Sequence, residues 1–576
     1  MVGDRPGKGF GLRTGERHRD RLRLHLPGPP PGARVVLPHT AFTEPIQAAD
    51  LLFAPLEAGA QRRHFGRGNS CVFPTISLGF HSAYIYIQRM SLCTPLFAAF
   101  KTLLFGKPRL SAIEKLLRRD GRPHSLSQYQ EAFGHFIPQA LLACAAEGIN
   151  SRARMFPPVV IFWAFLAQVL ERGSSCRDAL RRITAWWQFE DPTAPLPSTK
   201  TGGYCQARAR LADPVLAQIG THLADQLERN VPTEERWQGR RVKIIDGTGA
   251  SMPDTAENQA VWPQPRSQKP GCGFPQVKLV GLFSQGSGAL LHLAEGNIHQ
   301  HELLLARQLW PHLEPADVVL ADRGFCSYLD LSEIARLGAD AVMRLHQARR
   351  ADFRQGRRLG PHDRLVTWQK PAQCPASWTP EAFAALPATL TLRLVRYRIE
   401  TAGFRSEEVI LVTTLLDAAA YPVSALAELY FERWSVELHF REIKVLLGLD
   451  VLRCLSPQMV RKEIALHRIA YNLVRLLMQH AALNHHVCLA RLSFKGTLDS
   501  LHHFADALHA LAERPRRQAE LLDKLLLTMA KDLVPERPHR AEPRVKKRRG
   551  KNYHLMTSPR RQMHVPKHRN RPAKQS

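Results

Sequence analysis

The chain has 576 residues, of which 44% are apolar and 23% charged. That mix excludes a wholly disordered chain, a collagen-like chain and a polytopic membrane protein, and the length argues for several domains. Lys and Arg total 80 against 51 Asp and Glu, a net charge of +29 that predicts attraction to polyanions, nucleic acid above all.

The charge is uneven. Residues 1–34 carry eight basic and three acidic residues, and residues 535–576 carry fourteen and two, so the two ends supply +5 and +12 of the total. The ten cysteines are scattered and none forms a CxxC pair, which removes the zinc-ribbon and thioredoxin-like signatures. A reducing cytoplasm is the simpler compartment.

In chain order, residues 1–89 hold PGPPPGARVV and GRGNS and little periodicity. They read as a disordered basic arm, or as an over-extended frame with its start near Met90. Residues 90–235 turn helical, beginning with Leu110, Ile113, Leu116 and Leu117 at helical spacing. A helical DNA-binding domain fits this region, and so does an ordinary bundle with a solvated basic face. Its most apolar stretch, Met155–Leu170, is shorter than the roughly 20 residues a bilayer needs, and it reads as a buried helix starting at Pro157 and Pro158.

Near residue 236 the rhythm changes to strands. RRVKIIDGTG reads as a strand ending in Asp246. FPQVKLVGLFSQ and ALLHLAEGN follow as two strands joined by SQGSG, then the helix HELLLARQLWPHLE. DVVLADRGF reads as a buried strand ending in Asp322, followed by a helix and the strand DAVMRLHQARR. This is an α/β domain with a mixed sheet, spanning 236–346 and resuming over 424–480. Residues 347–423 interrupt it as a β-rich insertion that includes TLTLRLVRYRIE and EEVILVTTLL. A helical C-terminal region, 481–534, and a basic tail, 535–576, complete the chain.

Three acids stand out by position. Asp246 and Asp322 end strands, where open α/β sheets gather functional groups. Taken singly, each also reads as a turn residue, Asp246 opening DGTG and Asp322 preceding Gly324. The helix YFERWSVELHFREIKVLLG bears on that choice. At about 100° per residue its Leu429, Val436, Phe440, Ile443 and Leu447 form a core stripe, and Tyr430, Arg433, Glu437 and Lys444 form a second stripe roughly 80° away. An i,i+4 salt bridge accounts for Arg433 and Glu437 alone. A shared phosphoryl-transfer site accounts for every one of them. Asp246, Asp322 and Glu437 would hold two divalent ions, Mg²⁺ or Mn²⁺ given the all-oxygen donors, while Arg433, Lys444 and Tyr430 hold phosphates.

The spacing Tyr430-x2-Arg433-x3-Glu437-x6-Lys444 resembles the signature of bacterial insertion-sequence transposases of family four, of the DDE class. IIDGT resembles that family's first aspartate motif and LADRGF its second, and the resemblance covers about residues 105–560. It implies an RNase H-like catalytic domain with the triad Asp246, Asp322 and Glu437, and DNA contacts from Tyr430, Arg433, Lys444 and Arg323. It also implies metal-dependent cutting of element ends, joining of 3′-hydroxyls to target DNA, double-stranded DNA as partner, a homodimer in the DNA complex, no membrane and a cytoplasmic location. The family holds a flipped base with an aromatic residue of the insertion; Trp368 and Trp378 lie there, and no motif selects between them. Two other functions stay open at this stage: a non-catalytic, domesticated DNA-binding protein, and an RNase H-like structure-specific nuclease. His299 and His301 form an HxH, which reads better as the start of a helix than as a metal site.

Overall fold

The structure is a computed structural model that describes residues 23–25, 128–138, 156–190, 196–400, 407–511 and 514–535, with a few isolated positions besides. The expected helix at Leu110–Leu117, most of the N-terminal arm and nearly all of the basic tail lie outside the described residues.

One ten-stranded sheet organises the chain. Its strands are β1 (Arg23–His25), β2 (Val242–Ser251), β3 (Gln276–Ser284), β4 (Leu290–Asn297), β5 (Val318–Ala321) and β6 (Asp340–Arg344), then β7 (Arg357–Gly360), β8 (Asp363–Gln369), β9 (Thr389–Glu400) and β10 (Glu407–Thr413). The order is β4-β3-β2-β5-β6-β10-β9-β8-β7, with β1 added to β9. Neighbours are antiparallel except β2–β5 and β5–β6, which are parallel. Strand β5, Val-Val-Leu-Ala, is buried at every position, as expected for a central parallel strand covered on both faces.

Two findings refine the sequence reading. Asp246 does not end its strand. The DGTGAS run continues β2 for five residues, paired with Gly281 through Gln276 of β3. The inserted strands are also not a separate layer. Strand β10 returns to pair with β6, with Leu411 opposite Arg344, and so extends the central sheet.

Alternation along the strands splits the core in two. Ile245, Val319, Ala321 and Met343 face one side, where Leu305, Ala306, Leu309 and Trp310 cover them. Ile244, Val318, Leu320 and Val342 face the other side, which is covered by the helical path Val423–Leu446 and by the 28-residue helix Pro457–Asn484. That long helix is fastened to the β3–β4 hairpin by polar side chains. The Tyr471 hydroxyl donates to Gly288 O at 2.7 Å, and the Asn472 side chain both donates to and accepts from Leu290.

The helices Pro158–Leu170, Cys176–Glu190, Gly202–Ala209 and Asp213–Arg229 share this second core, against the same long helix. Pro158 occupies the first turn of its helix, where a missing N–H costs nothing. Lys462 pairs with Asp213 at 3.0 Å, and Gln479 donates to Leu227 O at 2.9 Å. Helices Phe494–Ala510 and Pro515–Lys531 close the C-terminal side. No described helix is long and apolar enough to cross a membrane.

Candidate active site

The parallel register of β2 and β5 brings the two aspartates level. Val242 lies opposite Val318 and Ile244 opposite Leu320, so two residues further on Asp246 is level with Asp322. Strand β5 stops at Ala321 while β2 runs on to Ser251, paired with β3 and, at Ser251, bridged to Val451. A notch therefore opens beside β2 at residue 246. Side chains alternate, so Asp246 points to the same face as Ile244, the face covered by the helix that carries Tyr430 and Glu437.

Each aspartate is held by its own backbone turn. Gly247 N–H donates to Asp246 Oδ1 at 2.8 Å. Arg323 N–H donates to Asp322 Oδ1 at 2.7 Å, which caps the short turn Arg323–Phe325. Arg323 itself is half-buried at the head of that turn.

The signature helix crosses β2 at this notch. Arg433 Nη1 lies 3.6 Å from Asp246 Oδ2, and Lys444 Nζ donates to Thr248 Oγ1 at 3.0 Å. The segment is not one regular helix. It tightens to a 3-10 turn at Glu432–Trp434, is α over Ser435–Arg441, and widens to a π turn at Glu442–Leu446. The core stripe read from the sequence is nonetheless buried: Leu429, Val436, Phe440, Ile443 and Leu447 all pack in the core. Local π turns recur at functional sites, and this one sets where the Lys444 side chain reaches.

Electrostatics mark the notch as unusual. Burial pushes the Asp246 carboxyl up to about 6; the Gly247 N–H and the Arg433 guanidinium pull it down, and the charges of Glu302 and Asp322 push it up. Burial likewise raises the Tyr430 phenol to about 12, opposed by Arg433 and helped by Asp322. Tyr430 and Arg433 are each 5% exposed, and neither the Tyr430 hydroxyl nor Arg433 Nε has a hydrogen-bond partner among the described residues. Buried donors without partners are uncommon, and here two of them flank a pair of acids.

Glu437 sits half-buried between Arg433 and Lys444 along the chain, on the helix that crosses β2. Among the described residues no three His, Cys, Asp or Glu side chains converge tightly enough to form a ready-made metal cage. The sequence-read residues Asp246, Asp322, Tyr430, Arg433 and Lys444 are drawn to one notch by contacts or charge coupling, and Glu437 is carried on the same helix.

One acid escaped the sequence reading. Glu302 opens the helix Glu302–Ala306, and its carboxylate lies against Gly247; a Cβ on Gly247 would come within 2.6 Å of Glu302 Cδ. The signal available beforehand was the glycine after Asp246, in a strand where a side chain would otherwise fit. His301 caps that helix by accepting from Leu303 N–H, the helix-start role expected of it. The aromatic candidates of the insertion are each covered by a guanidinium: Arg349 lies 3.9 Å above the Trp368 ring and Arg307 5.0 Å above that of Trp378.

Residues 237–473, which include both aspartates and the whole signature helix, match the family described as Transposase DDE domain. The transposase InsG for insertion sequence element IS4 of Escherichia coli (strain K12) is 28% identical over 441 residues, covering 75% of this chain and 95% of that protein. The transposase for insertion sequence element IS421 of Escherichia coli is 23% identical over 339 residues, 54% of this chain and 83% of that protein. A solved piggyBac transposase synaptic complex with hairpin DNA aligns over 71% of this chain and 86% of its own at 11% identity, with a TM-score of 0.35. Residues 237–473 thus match a transposase DDE domain, and over most of its length the chain is similar to the transposase of the IS4 element.

Proposed function

We propose that this transposase cuts DNA at the ends of its own insertion sequence and joins the freed 3′-hydroxyls to target DNA, with Asp246, Asp322 and Glu437 as its catalytic acids. The observation that carries the reading is the crossing of the signature helix over β2. Arg433 lies against Asp246 and Lys444 against Thr248, so Glu437 is borne between two points fixed to the strand that carries the first aspartate. The strand order β4-β3-β2-β5-β6, with only β2–β5–β6 parallel, supports an RNase H-like catalytic domain.

The donor set suits Mg²⁺ or Mn²⁺, because every acid in the notch offers hard oxygen and no Cys or His is among them. Bound there, a pair of such ions would activate water or a 3′-hydroxyl and stabilise the leaving oxygen. The protein's own groups have separate tasks. Asp246, Asp322 and Glu437 supply the negative charge that holds the cations. Arg433 and Lys444 carry positive charge to the DNA phosphates at the same notch, and the unpaired Tyr430 hydroxyl is a donor for one of them. Arg323, beside Asp322, extends that basic rim.

The helices between 90 and 235 read the element's ends in a groove, and the tail at 535–576 adds salt-sensitive affinity for any duplex. Two copies act together in the DNA complex, in the cytoplasm. The test is Asp246→Asn and Asp322→Asn on an end-bearing duplex. Both variants should bind it and lose Mg²⁺-dependent nicking. Normal nicking by either variant contradicts the reading, and a parent chain that binds the duplex without nicking it favours a DNA-binding protein without this chemistry.

A further inference from the structure

We infer that Glu302 is a fourth acid of this site, reaching the cations from the opposite face of the sheet through the notch beside β2. The inference rests on the proposed role of Asp246 and Asp322. The close approach of Glu302 to Gly247 is an observation independent of the signature helix.

The first observation is placement. Leu305 and Ala306 are fully buried in the core on the far side of the sheet from Val436 and Phe440. The helix Glu302–Ala306 thus belongs to the other layer. Strand β5 ends at Ala321, so β2 has no strand paired on that flank at residues 246 and 247. The Glu302 carboxylate lies over Gly247 at that flank, and its charge bears on Asp246.

The second observation is the glycine. The Glu302 carboxylate occupies the space a side chain at position 247 would take, with both oxygens 2.9 Å from where a Cβ would stand. An alanine there would have to displace it. Gly247 is not in a left-handed conformation and lies within a paired strand. A side chain at 247 would push the end of Glu302 aside, so the glycine permits the close approach of the carboxylate.

The third observation is that the approach is fixed. The loop before Glu302 is tied by Lys278 Nζ donating to Gln300 O at 2.5 Å and by Asn297 N–H donating to Gln300 Oε1 at 3.0 Å. His301 caps the helix. Among the described residues no Lys, Arg or His forms an ion pair with Glu302. Like charges held this close, Glu302 beside Asp246 and Asp322, are stable together when a cation lies between them. The buried Tyr430 hydroxyl, without a partner on the same notch, is a second sign that a ligand completes the site.

A bland account exists: an acid in the first turn of a helix is favoured by the helix dipole. The two accounts part on metal affinity. Mn²⁺ binding to the full chain on an end-bearing duplex, followed by calorimetry and by the Mn²⁺ resonance spectrum, separates them. Glu302→Gln keeps the shape and should lower Mn²⁺ affinity by about tenfold or more, the scale seen when groups supporting a metal site are removed. Gly247→Ala should lower it similarly, and the double variant should lose little more than either alone. Melting curves check that each variant is folded. If Asp246→Asn abolishes Mn²⁺ binding while Glu302→Gln leaves affinity and spectrum unchanged, Glu302 is only a helix-terminal acid and the inference is overturned, with the proposed function intact. If Asp246→Asn also leaves Mn²⁺ binding unchanged, both fail.

Discussion

Lys444 and Thr248 are 196 residues apart in sequence, and the Lys444 ammonium donates to the Thr248 hydroxyl at 3.0 Å. Thr248 follows Asp246 by two positions on β2, and Lys444 follows Glu437 by two turns of helix. This one contact therefore ties the strand of the first aspartate to the helix of the glutamate. Thr248→Val should leave the fold nearly untouched, because one half-exposed hydrogen bond contributes about 1 kcal/mol. It should still slow nicking of an end-bearing duplex several-fold, because small misplacement of catalytic groups is costly. Lys444→Ala removes a cation as well as the contact and should also weaken duplex binding. The pair of measurements is a gel shift and an Mg²⁺-dependent nicking rate; equal loss of binding in both variants would contradict this division.

Asp330 is a structural acid, and its removal should be felt as stability. It is fully buried, and its carboxylate accepts from Arg307 Nε and Nη2 at 3.0 and 3.1 Å and from Trp310 Nε1 at 3.0 Å, with Ser327 Oγ as a further donor. These bonds fasten the helix Tyr328–Arg336, just after the Asp322 turn, to the layer that carries Glu302. Asp330→Ala leaves the buried Trp310 N–H without a partner and the half-buried Arg307 guanidinium with only Ser377, and should cost about 3 kcal/mol. Chemical denaturation measures this, and a loss under 1 kcal/mol would show that the network is dispensable.

His467 links stability to pH. It is 4% exposed on the long helix, and its ring pKa is pushed down to about 3, first by burial and then by Arg453. The unfolded chain takes up this proton near 6.5, the folded chain only near 3. The unfolded state therefore holds more protons across that window, and stability falls as pH drops from about 6.5 toward 3, by up to about 1.4 kcal/mol per pH unit. His292, lowered to about 3 first by burial and then by the stacked His312, adds a second such contribution. In His467→Gln the melting temperature should decline less steeply between pH 6.5 and 5 than in the parent chain. Parallel slopes would mean that His467 is hydrated in solution.

Much of this arrangement was legible in the sequence, for identifiable reasons. Asp322 closes a four-residue apolar strand, and its position followed from that run alone. The core stripe of the signature helix followed from 3.6-residue periodicity, since apolar burial is what that period records. Asp246 was read as a strand end because DGTG carries turn-forming residues. In the fold those glycines stay in the strand, one of them to admit Glu302. The single sheet was not legible, because periodicity shows that β10 is a strand and not that its partner is β6. The π turn at Glu442–Leu446 was equally hidden from a fixed helical period. Glu302 was missed because it lies on the other layer, and only three-dimensional register brings it to Asp246.

Under the proposed function Glu437 acts in chemistry and its basic neighbours act in holding DNA. Glu437→Gln, assayed by gel shift and by Mg²⁺-dependent nicking on the same end-bearing duplex, tests it most directly. The substitution keeps the shape and removes one negative charge near phosphate. Nicking should collapse while duplex binding is retained or tightens, and Arg433→Ala should instead weaken binding first. A Glu437→Gln protein that nicks at the parent rate would contradict the claim, leaving the carboxylate as no more than a partner for Arg433 on the helix.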